Sequence, residues 1–257
     1  YDIIIPGNHE FNFGMDALNK VFKQFDGKVL SANIYYKTGE RYLDPSTIMT
    51  VDGIKVGLIG ATTPLVEQFE EESGNVKDMR FAMPADEIRK EVQNLKKQGA
   101  DVIVLLAHMG LPNENNIPGT GVVDIANEVS GIDVIIAGHE HKNVSKQVVN
   151  GTIITEPYRY GAAISVVDLK FNVDAKGKKT LINKDAKTIS VNSEKSDNKT
   201  GKVDASAPKD ELASSEQIVR DEAIDADKPE ADNASDDESD LKESAADLSQ
   251  LAPDAAD

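Results

Sequence analysis

Short apolar runs recur along the first 190 residues and predict buried β-strands. They stand in the segments YDIII, KVLSANI, ADVIVLLAHMG and IDVIIAGHEH. The third run is apolar on both faces, which is typical of a strand covered on both sides of a sheet. Pro6 and Gly7 follow the first run and end that strand in a turn.

Three other segments have the apolar spacing of amphipathic helices. The segments are NFGMDALNKVFKQF with Leu18, Phe22 and Phe25, MPADEIRKEVQNLKKQGA with Ile88, Val92 and Leu95, and the shorter GTGVVDIANEVSG. In the second helix, Pro84 suits the first turn and Gly99 suits the end.

Two dipeptides mark tight turns between antiparallel strands. Asp52-Gly53 divides STIMTVDGIKVGLIGATT, and Asn150-Gly151 divides VSKQVVNGTIITEP; both pairs favour two-residue hairpin turns. YGAAISVVDLKFNVD adds strand-like alternation. Strands that alternate with helices, followed by hairpins, predict an α/β fold in which parallel strands are joined by crossover helices and antiparallel strands are added later.

The negative charge is concentrated in the last quarter of the chain. From residue 193 on, 20 acidic and 7 basic residues give a net charge of −13, out of −17 for the whole chain. This part has no aromatic residue, and it offers too little apolar surface to offset the entropy of ordering. We therefore predict a globular domain at 1–192 and a disordered acidic tail at 193–257, either a solvated linker or an interaction tail.

The composition excludes several kinds of site. There is no cysteine, hence no disulfide and no thiolate chemistry. No apolar run approaches the ~18 residues of a transmembrane helix. The sequence has no phosphate-binding G-x-x-x-x-G-K motif. It also has no basic patch, so nothing indicates a nucleic acid polymer as partner. The chain starts with Tyr1 inside a predicted strand and not with Met, so we expect a fragment or a processed product.

All four histidines follow apolar strands. His9 comes after DIIIPGN, His108 ends DVIVLLAH, and His139 and His141 come after DVIIAG. Sites in α/β sheets form beyond the carboxyl ends of the strands. Each histidine alone is more simply a hydrogen-bonded loop residue, but together the four predict a shared site.

The histidine pattern is compatible with metal binding. In an extended segment His139 and His141 would point to the same side and could serve one ion, or two ions about 3.5–4 Å apart. Imidazoles together with the amide oxygen of Asn8 suit zinc, manganese, iron or cobalt better than calcium. No acidic residue stands in an equally persuasive position, and Glu10 is predicted to brace its loop.

The motifs GNHE, LLAHMG and GHEH, in this order and each after a predicted strand, resemble blocks three to five of the calcineurin-like metallophosphoesterases. The resemblance covers residues 1–190 and is closest to bacterial 5′-nucleotidases and 2′,3′-cyclic-nucleotide phosphodiesterases. It implies a four-layer α/β/β/α sandwich with two divalent metal ions at the strand ends. It also implies a nucleotide substrate and an extracellular, cell-surface or periplasmic location.

The resemblance also implies roles for single residues. Asn8, His108 and His139 would bind the second metal ion, and His141 would bind the first. His9 would lie beside the phosphate, where it steadies the transition state or protonates the leaving oxygen. Many 5′-nucleotidases pair this histidine with an aspartate; here the position is Asn12, which resembles the cyclic-nucleotide branch.

Two family blocks, an Asp-x-His and a Gly-Asp, would lie upstream of Tyr1 and would supply the remaining ligands. An N-terminally truncated domain of this kind would bind metal weakly and catalyse little or nothing by itself. The alternative is a non-catalytic surface or interaction module with an acidic binding tail. Two interpretations also remain for Tyr158, Arg159 and Tyr160: a phosphate-binding turn, or a turn that packs a strand against the sheet.

Overall fold

The structure is a computed structural model that describes residues 1–191. The predicted disordered tail at 193–257 lies outside the described residues. The α-helices are α1 (Gly14–Gln24), α2 (Val66–Phe69), α3 (Pro84–Lys97) and α4 (Val122–Glu128). The strands are β1 (Ile3–Ile4), β2 (Lys28–Val29), β3 (Ile34–Tyr36), β4 (Ser46–Val51), β5 (Ile54–Thr62), β6 (Met79–Phe81), β7 (Val102–His108), β8 (Val134–Gly138), β9 (Asn143–Val149), β10 (Thr152–Pro157), β11 (Ala163–Val173) and β12 (Lys179–Ser190).

A six-stranded sheet in the order β4-β5-β7-β8-β10-β9 forms the centre of the fold. The four inner strands are parallel, and β4 and β9 pair antiparallel at the two edges. Both predicted hairpin turns are confirmed, because Asp52-Gly53 and Asn150-Gly151 have positive φ at both positions. The predicted combination of parallel crossovers and antiparallel additions is thereby confirmed.

Helices α3 and α4 cover one face of the central sheet. Ile88, Val92 and Leu95 of α3 are at most 3% exposed and pack with strand residues such as Leu105. The predicted helix end is also confirmed, since Gly99 adopts a φ of 84° just after α3.

The opposite face of the central sheet packs against the β11–β12 ribbon. Val104, Val134 and Ile153 of the sheet form a cluster with Ala186 of β12, and Val167 and Leu169 of β11 join it. Leu105 faces the helices and Val104 faces the ribbon, which explains why β7 is apolar at successive positions. The mixed α/β fold is confirmed; outside the central sheet, the strands form three separate two-stranded pairings, β1–β2, β3–β6 and the long β11–β12 ribbon.

Segment KVLSANI was predicted as one strand, and this is wrong, because it contains the two residues of β2 and, after a gap, Ile34 as the first residue of β3. Lys28 and Val29 pair with β1, but the backbone N–H of Ala32 donates to the carbonyl of Gly60 at 2.8 Å. The backbone thus leaves β1 for β5 before β3 pairs with β6. In residues 1–191 no helix has the length and apolar character to cross a membrane.

Candidate metal centre

Three chain segments meet at the carboxyl end of the inner strands. His108 is the last residue of β7, and in the sheet it lies opposite Gly138, the last residue of β8. His139 therefore follows directly beside His108. Asn8 and His9 arrive from the turn after β1. The rule that sites form beyond the carboxyl ends of parallel strands holds for these residues.

Asn8, His108 and His139 converge on one point. The Oδ1 atom of Asn8 lies 3.0 Å from Nε2 of His108 and 3.1 Å from Nδ1 of His139. The centroids of the two imidazole rings are 5.1 Å apart, and the rings are steeply inclined to one another. These contacts join residues that lie 100 and 131 positions apart in the sequence.

The imidazole of His108 is held in its neutral form. Burial lowers its pKa to about 4, and the nearby positive charges of His139 and His9 act in the same direction. A neutral ring keeps a nitrogen lone pair, which a metal ion requires. At neutral pH, protons therefore do not compete for His108.

Glu114 lies against the outer side of His139. Its Oε1 is 3.1 Å from Nε2 of His139 and accepts a 2.9 Å hydrogen bond from the backbone N–H of Gly110. Burial raises the pKa of Glu114, but the hydrogen bond and charge of His139 and the hydrogen bonds from Gly110 and Thr63 outweigh it, so the net pKa is lowered. The sequence marks no acidic residue at this edge, and the structure places Glu114 beside His139. Nothing in the spacing of the sequence marks Glu114, because a loop brings it there.

The side chains of His139 and His141 point in different directions. The expectation of an extended segment is wrong, because β8 ends at Gly138 and His139 and His141 have φ values of 99° and 56°. The ring of His139 stacks on Phe69, whereas the ring of His141 lies 6.1 Å from that of Tyr160. Burial lowers the pKa of His141 most, and the positive charges of Arg159, His139 and His9 lower it further. His141 shares the edge but stands apart from the convergent atoms.

Glu156 fixes the backbone of the turn that carries His141. Its Oε1 accepts the backbone N–H of Lys142 at 3.2 Å, and the N–H of His141 also donates to its carboxylate. The side chain is fully buried, and its Oε2 has no partner within the described residues. Burial raises the pKa of this carboxyl. Sequence reasoning missed Glu156, which lies inside a predicted strand.

His9 and Asn12 lie together at the solvent-exposed side of the site. Nδ1 of His9 is 3.3 Å from Oδ1 of Asn12. His9 sits in a single 3₁₀ turn that also contains the fully buried Phe11, which anchors the turn. The carboxylate of Glu10 accepts a 2.6 Å hydrogen bond from the backbone N–H of Gly7, so Glu10 braces the loop as expected.

The turn after β10 places a cation next to His141. Tyr158 and Tyr160 have φ values of 69° and 57°, a left-handed conformation that is rare for aromatic residues. The guanidinium of Arg159 lies over both rings, 5.5 and 5.0 Å from their centroids. Because the tyrosines are 42% and 76% exposed, their rings are not core packing.

The convergent donor atoms fit a divalent metal ion. Nitrogen and oxygen ligands bind such ions at about 2.0–2.2 Å, and the 3.0 and 3.1 Å contacts of Asn8 bring the three atoms close enough together to share one ion. Two imidazoles and an amide oxygen form a borderline set. Within residues 1–191, no three His, Cys, Asp or Glu side chains form a metal site by themselves, because the third donor here is an amide.

Comparison with known proteins bears on this edge of the sheet. The family model described as calcineurin-like phosphoesterase matches residues 1–143, which include Asn8, His9, His108, His139 and His141. The curated relatives include endonuclease YhcR of Bacillus subtilis, 33% identical over 76% of this chain and 17% of its own length. Another is the trifunctional nucleotide phosphoesterase YfkN of the same species, 32% identical over 66% of this chain and 13% of its own length.

Solved structures agree with the sequence relatives. The crystal structure of the calcineurin-like phosphoesterase YfkN from Bacillus subtilis superimposes with a TM-score of 0.66 and 28% identity, covering 74% of this chain and 64% of that chain. The chain spans less than a fifth of the length of the two curated relatives named above.

Proposed function

The chain belongs to the calcineurin-like phosphoesterase family, and we propose that its strand-end residues form part of a metal-dependent site that hydrolyses phosphoesters of nucleotides. The observation that supports this most directly is the convergence of Asn8, His108 and His139 within 3.0–3.1 Å of Asn8 Oδ1. Three segments that are far apart in sequence bring one amide oxygen and two imidazole nitrogens to the same point. A divalent cation can be bound by all three atoms at once, because the amide oxygen and an unprotonated ring nitrogen each carry a lone pair.

Asn8, His108 and His139 would hold one divalent ion, of manganese, zinc, iron or cobalt, and His141 would belong to a second. When bound, a pair of such ions lowers the pKa of an attacking water and offsets charge on the phosphoryl oxygens. Ligand binding by His108 needs no prior loss of a proton, because burial keeps its ring neutral.

His9 would deliver the proton to the leaving oxygen. The side-chain oxygen Oδ1 of Asn12 would accept a hydrogen bond from Nδ1 of His9, which leaves Nε2 free to face the substrate. Proton donation by a placed imidazole contributes typically ~10²- to 10⁴-fold to the rate. Exposure of His9 to solvent lets it recover a proton after each turnover.

Arg159 would bind a non-bridging oxygen of the phosphate. Its guanidinium is held over the rings of Tyr158 and Tyr160 and acts electrostatically on His141. A planar guanidinium with several donors is well suited to phosphate oxygens. This favours the phosphate-binding interpretation of the turn.

The described residues would complete one ion site better than two. A dinuclear centre needs carboxylates to balance its charge, and Glu114 contacts His139 at the outer ring nitrogen, not at the nitrogen that faces Asn8. We therefore expect the described residues by themselves to bind metal weakly and to turn over substrate slowly or not at all. An exported location, at the cell surface or in the periplasm, is part of the same proposal.

Phosphate release tests the proposal. The purified chain, and a longer form where the gene encodes one, would be supplied with manganese and with 2′,3′-cyclic AMP, 3′-AMP or 5′-AMP. We expect metal-dependent release that His139→Ala abolishes and that His9→Gln lowers by about 100-fold or more without loss of metal binding. Opening of the cyclic substrate gives 3′-AMP and frees no phosphate, so it is followed separately by chromatography; ring opening faster than phosphate release from 5′-AMP would agree with Asn12 at the position beside His9.

Equal release with and without manganese, or a fully active His139→Ala variant, would contradict the proposal. If neither the chain nor the longer form releases phosphate, the non-catalytic alternative is favoured; it depends on residues 193–257, which lie outside the described part of the chain. Glu72→Gln serves as the control, because Glu72 is exposed and removal of its charge leaves the strand-end residues untouched.

A further inference from the structure

We propose that Glu114 is a positioning residue that sets the tautomer and orientation of His139, so that Nδ1 of this ring faces the metal point. The inference rests on the proposed metal site and adds a residue that the sequence motifs do not contain. Glu114 lies in the polar loop between β7 and α4, outside all three motifs.

The proton on His139 follows from what Glu114 can accept. An ionised carboxylate has acceptors only, so its Oε1 at 3.1 Å requires a proton on Nε2 of His139. If the ring carries this proton alone, as a metal ligand must, Nδ1 keeps its lone pair. The lone pair of Nδ1 is directed toward Asn8, whose Oδ1 is 3.1 Å away.

Two acceptors in direct contact repel each other, and a cation removes the conflict. Asn8 Oδ1 meets the Nδ1 lone pair of His139, and it also meets Nε2 of His108 at 3.0 Å. A metal ion held by all three atoms turns these contacts into shared ligation. Glu114 thus favours the tautomer of His139 whose Nδ1 can bind an ion, over the tautomer whose Nδ1–H would donate to Asn8 without an ion.

The carboxylate is itself fixed in place. Besides His139, it accepts the backbone N–H of Gly110 at 2.9 Å and the hydroxyl of Thr63 at 3.1 Å. The backbone N–H of Glu114 donates to the fully buried hydroxyl of Thr120 at 2.7 Å, and that hydroxyl donates to the carbonyl of Ile117. Glu114 is therefore held at both its backbone and its side chain.

The loops after β7 and β8 are tied to each other in both directions. Glu114 reaches from the first loop to His139 in the second, and Glu140 reaches back to accept the backbone N–H of Leu111 at 3.2 Å. A carboxylate behind a metal-bound imidazole also makes the ring a stronger ligand. Loss of Glu114 should weaken metal binding without removing any ligand.

The experiment measures the tautomer and the metal affinity separately. Ring ¹⁵N chemical shifts in the metal-free full chain report which nitrogen of His139 carries the proton, and calorimetric titration with Mn²⁺ gives the dissociation constant. The variants are Glu114→Ala, Glu114→Gln and Thr63→Val, with Glu72→Gln as the charge control.

We expect the proton on Nε2 of His139 in the wild type. Glu114→Ala should lose this preference and bind Mn²⁺ about 10- to 100-fold more weakly. Glu114→Gln keeps an acceptor oxygen and should retain the tautomer with a smaller loss of affinity. Thr63→Val removes one hydrogen bond to the Glu114 carboxylate and should lose less Mn²⁺ affinity than Glu114→Ala. Glu72→Gln should match the wild type in both measurements.

A proton on Nδ1 of His139 in the wild type would overturn the proposal, and so would wild-type affinity in Glu114→Ala. If no variant binds Mn²⁺, the proposed function fails, while the tautomer still decides the role of Glu114. If Glu114→Ala does not fold, the wild-type tautomer and Glu114→Gln decide it.

Discussion

The imidazole of His108 occupies the space where a side chain on Gly7 would begin. A Cβ atom built at Gly7 would lie 2.6–2.7 Å from three atoms of that ring, closer than real Cβ contacts allow. The sequence suggested that Gly7 serves a turn after Pro6. Its structural role is instead to let β1 deliver Asn8 directly beside His108.

Gly7→Ala should therefore damage metal binding more than stability. The new methyl group would displace the ring of His108 and break its 3.0 Å contact with Asn8. We expect about a 10-fold or greater loss of Mn²⁺ affinity in a calorimetric titration, in line with the effect of disturbing a ligand's support. The matched control is Gly138→Ala, whose Cβ would lie 3.6 Å from the same ring, an ordinary contact. Equal affinities of the two variants would contradict the argument.

The identities of the converging residues could be predicted from the sequence, but their directions could not. His108 and His139 end neighbouring parallel strands, so the strand rule brings them together. The divergence of His139 and His141 depends on left-handed backbone at both residues, which no spacing rule predicts for histidine. Glu114 reaches the site through hydrogen bonds within a loop, and loops leave no periodic signal.

Among the elements, α1 links the mouth of the site to the rest of the domain. It starts at Gly14, directly after the turn that carries His9. Tyr42 fastens the helix, because its hydroxyl donates a 2.8 Å hydrogen bond to Asn19 and its ring lies 6.4 Å from that of Phe22. The position of His9 therefore depends on how firmly α1 is held.

Alkaline pH should loosen this contact. Burial raises the pKa of Tyr42 to about 12, with a further contribution from Tyr36. The pKa of a tyrosine in an unfolded chain is about 10. The folded pKa is the higher one, so the stabilisation is complete below pH ~10 and is lost as pH rises toward ~12, by about 2 kcal/mol. Urea unfolding at several pH values would show the loss in the wild type, and Tyr42→Phe should lack this part of the slope. Parallel curves for both proteins would contradict it.

Elements with strong apolar periodicity were predictable, and elements held by backbone pairing were not. The stripe of α3 and the continuous apolar run of β7 stand out in the sequence because their side chains enter the core. β12 gives no such signal, since its residues are mostly exposed and it is held by antiparallel pairing with β11. The two short strands in KVLSANI were joined in the prediction because both are apolar, although their partners differ.

At the scale of the whole molecule, the β11–β12 ribbon closes the face of the central sheet opposite the helices. Leu169 packs into the cluster beneath the ribbon, while Ile182 on the ribbon is 63% exposed. Leu169→Ala should lower the free energy of unfolding by about 1–3 kcal/mol, because it leaves a space in this layer. Ile182→Ala should change it by no more than about 0.5 kcal/mol. Chemical denaturation of both variants checks the contrast, and comparable losses would show that the ribbon does not pack as described.

The distance along the chain between the proposed ligands has a consequence for biosynthesis. Asn8 is separated along the chain by 100 residues from His108 and by 131 from His139, so a chain still on the ribosome cannot bring the three ligand atoms together until β8 and His139 have emerged. Closing such long loops is slow and entropically costly, and the ion cannot guide the early steps of folding. It would bind only the finished domain and stabilise that state by mass action. Retention of the ion would then distinguish complete domains from chains released before His139.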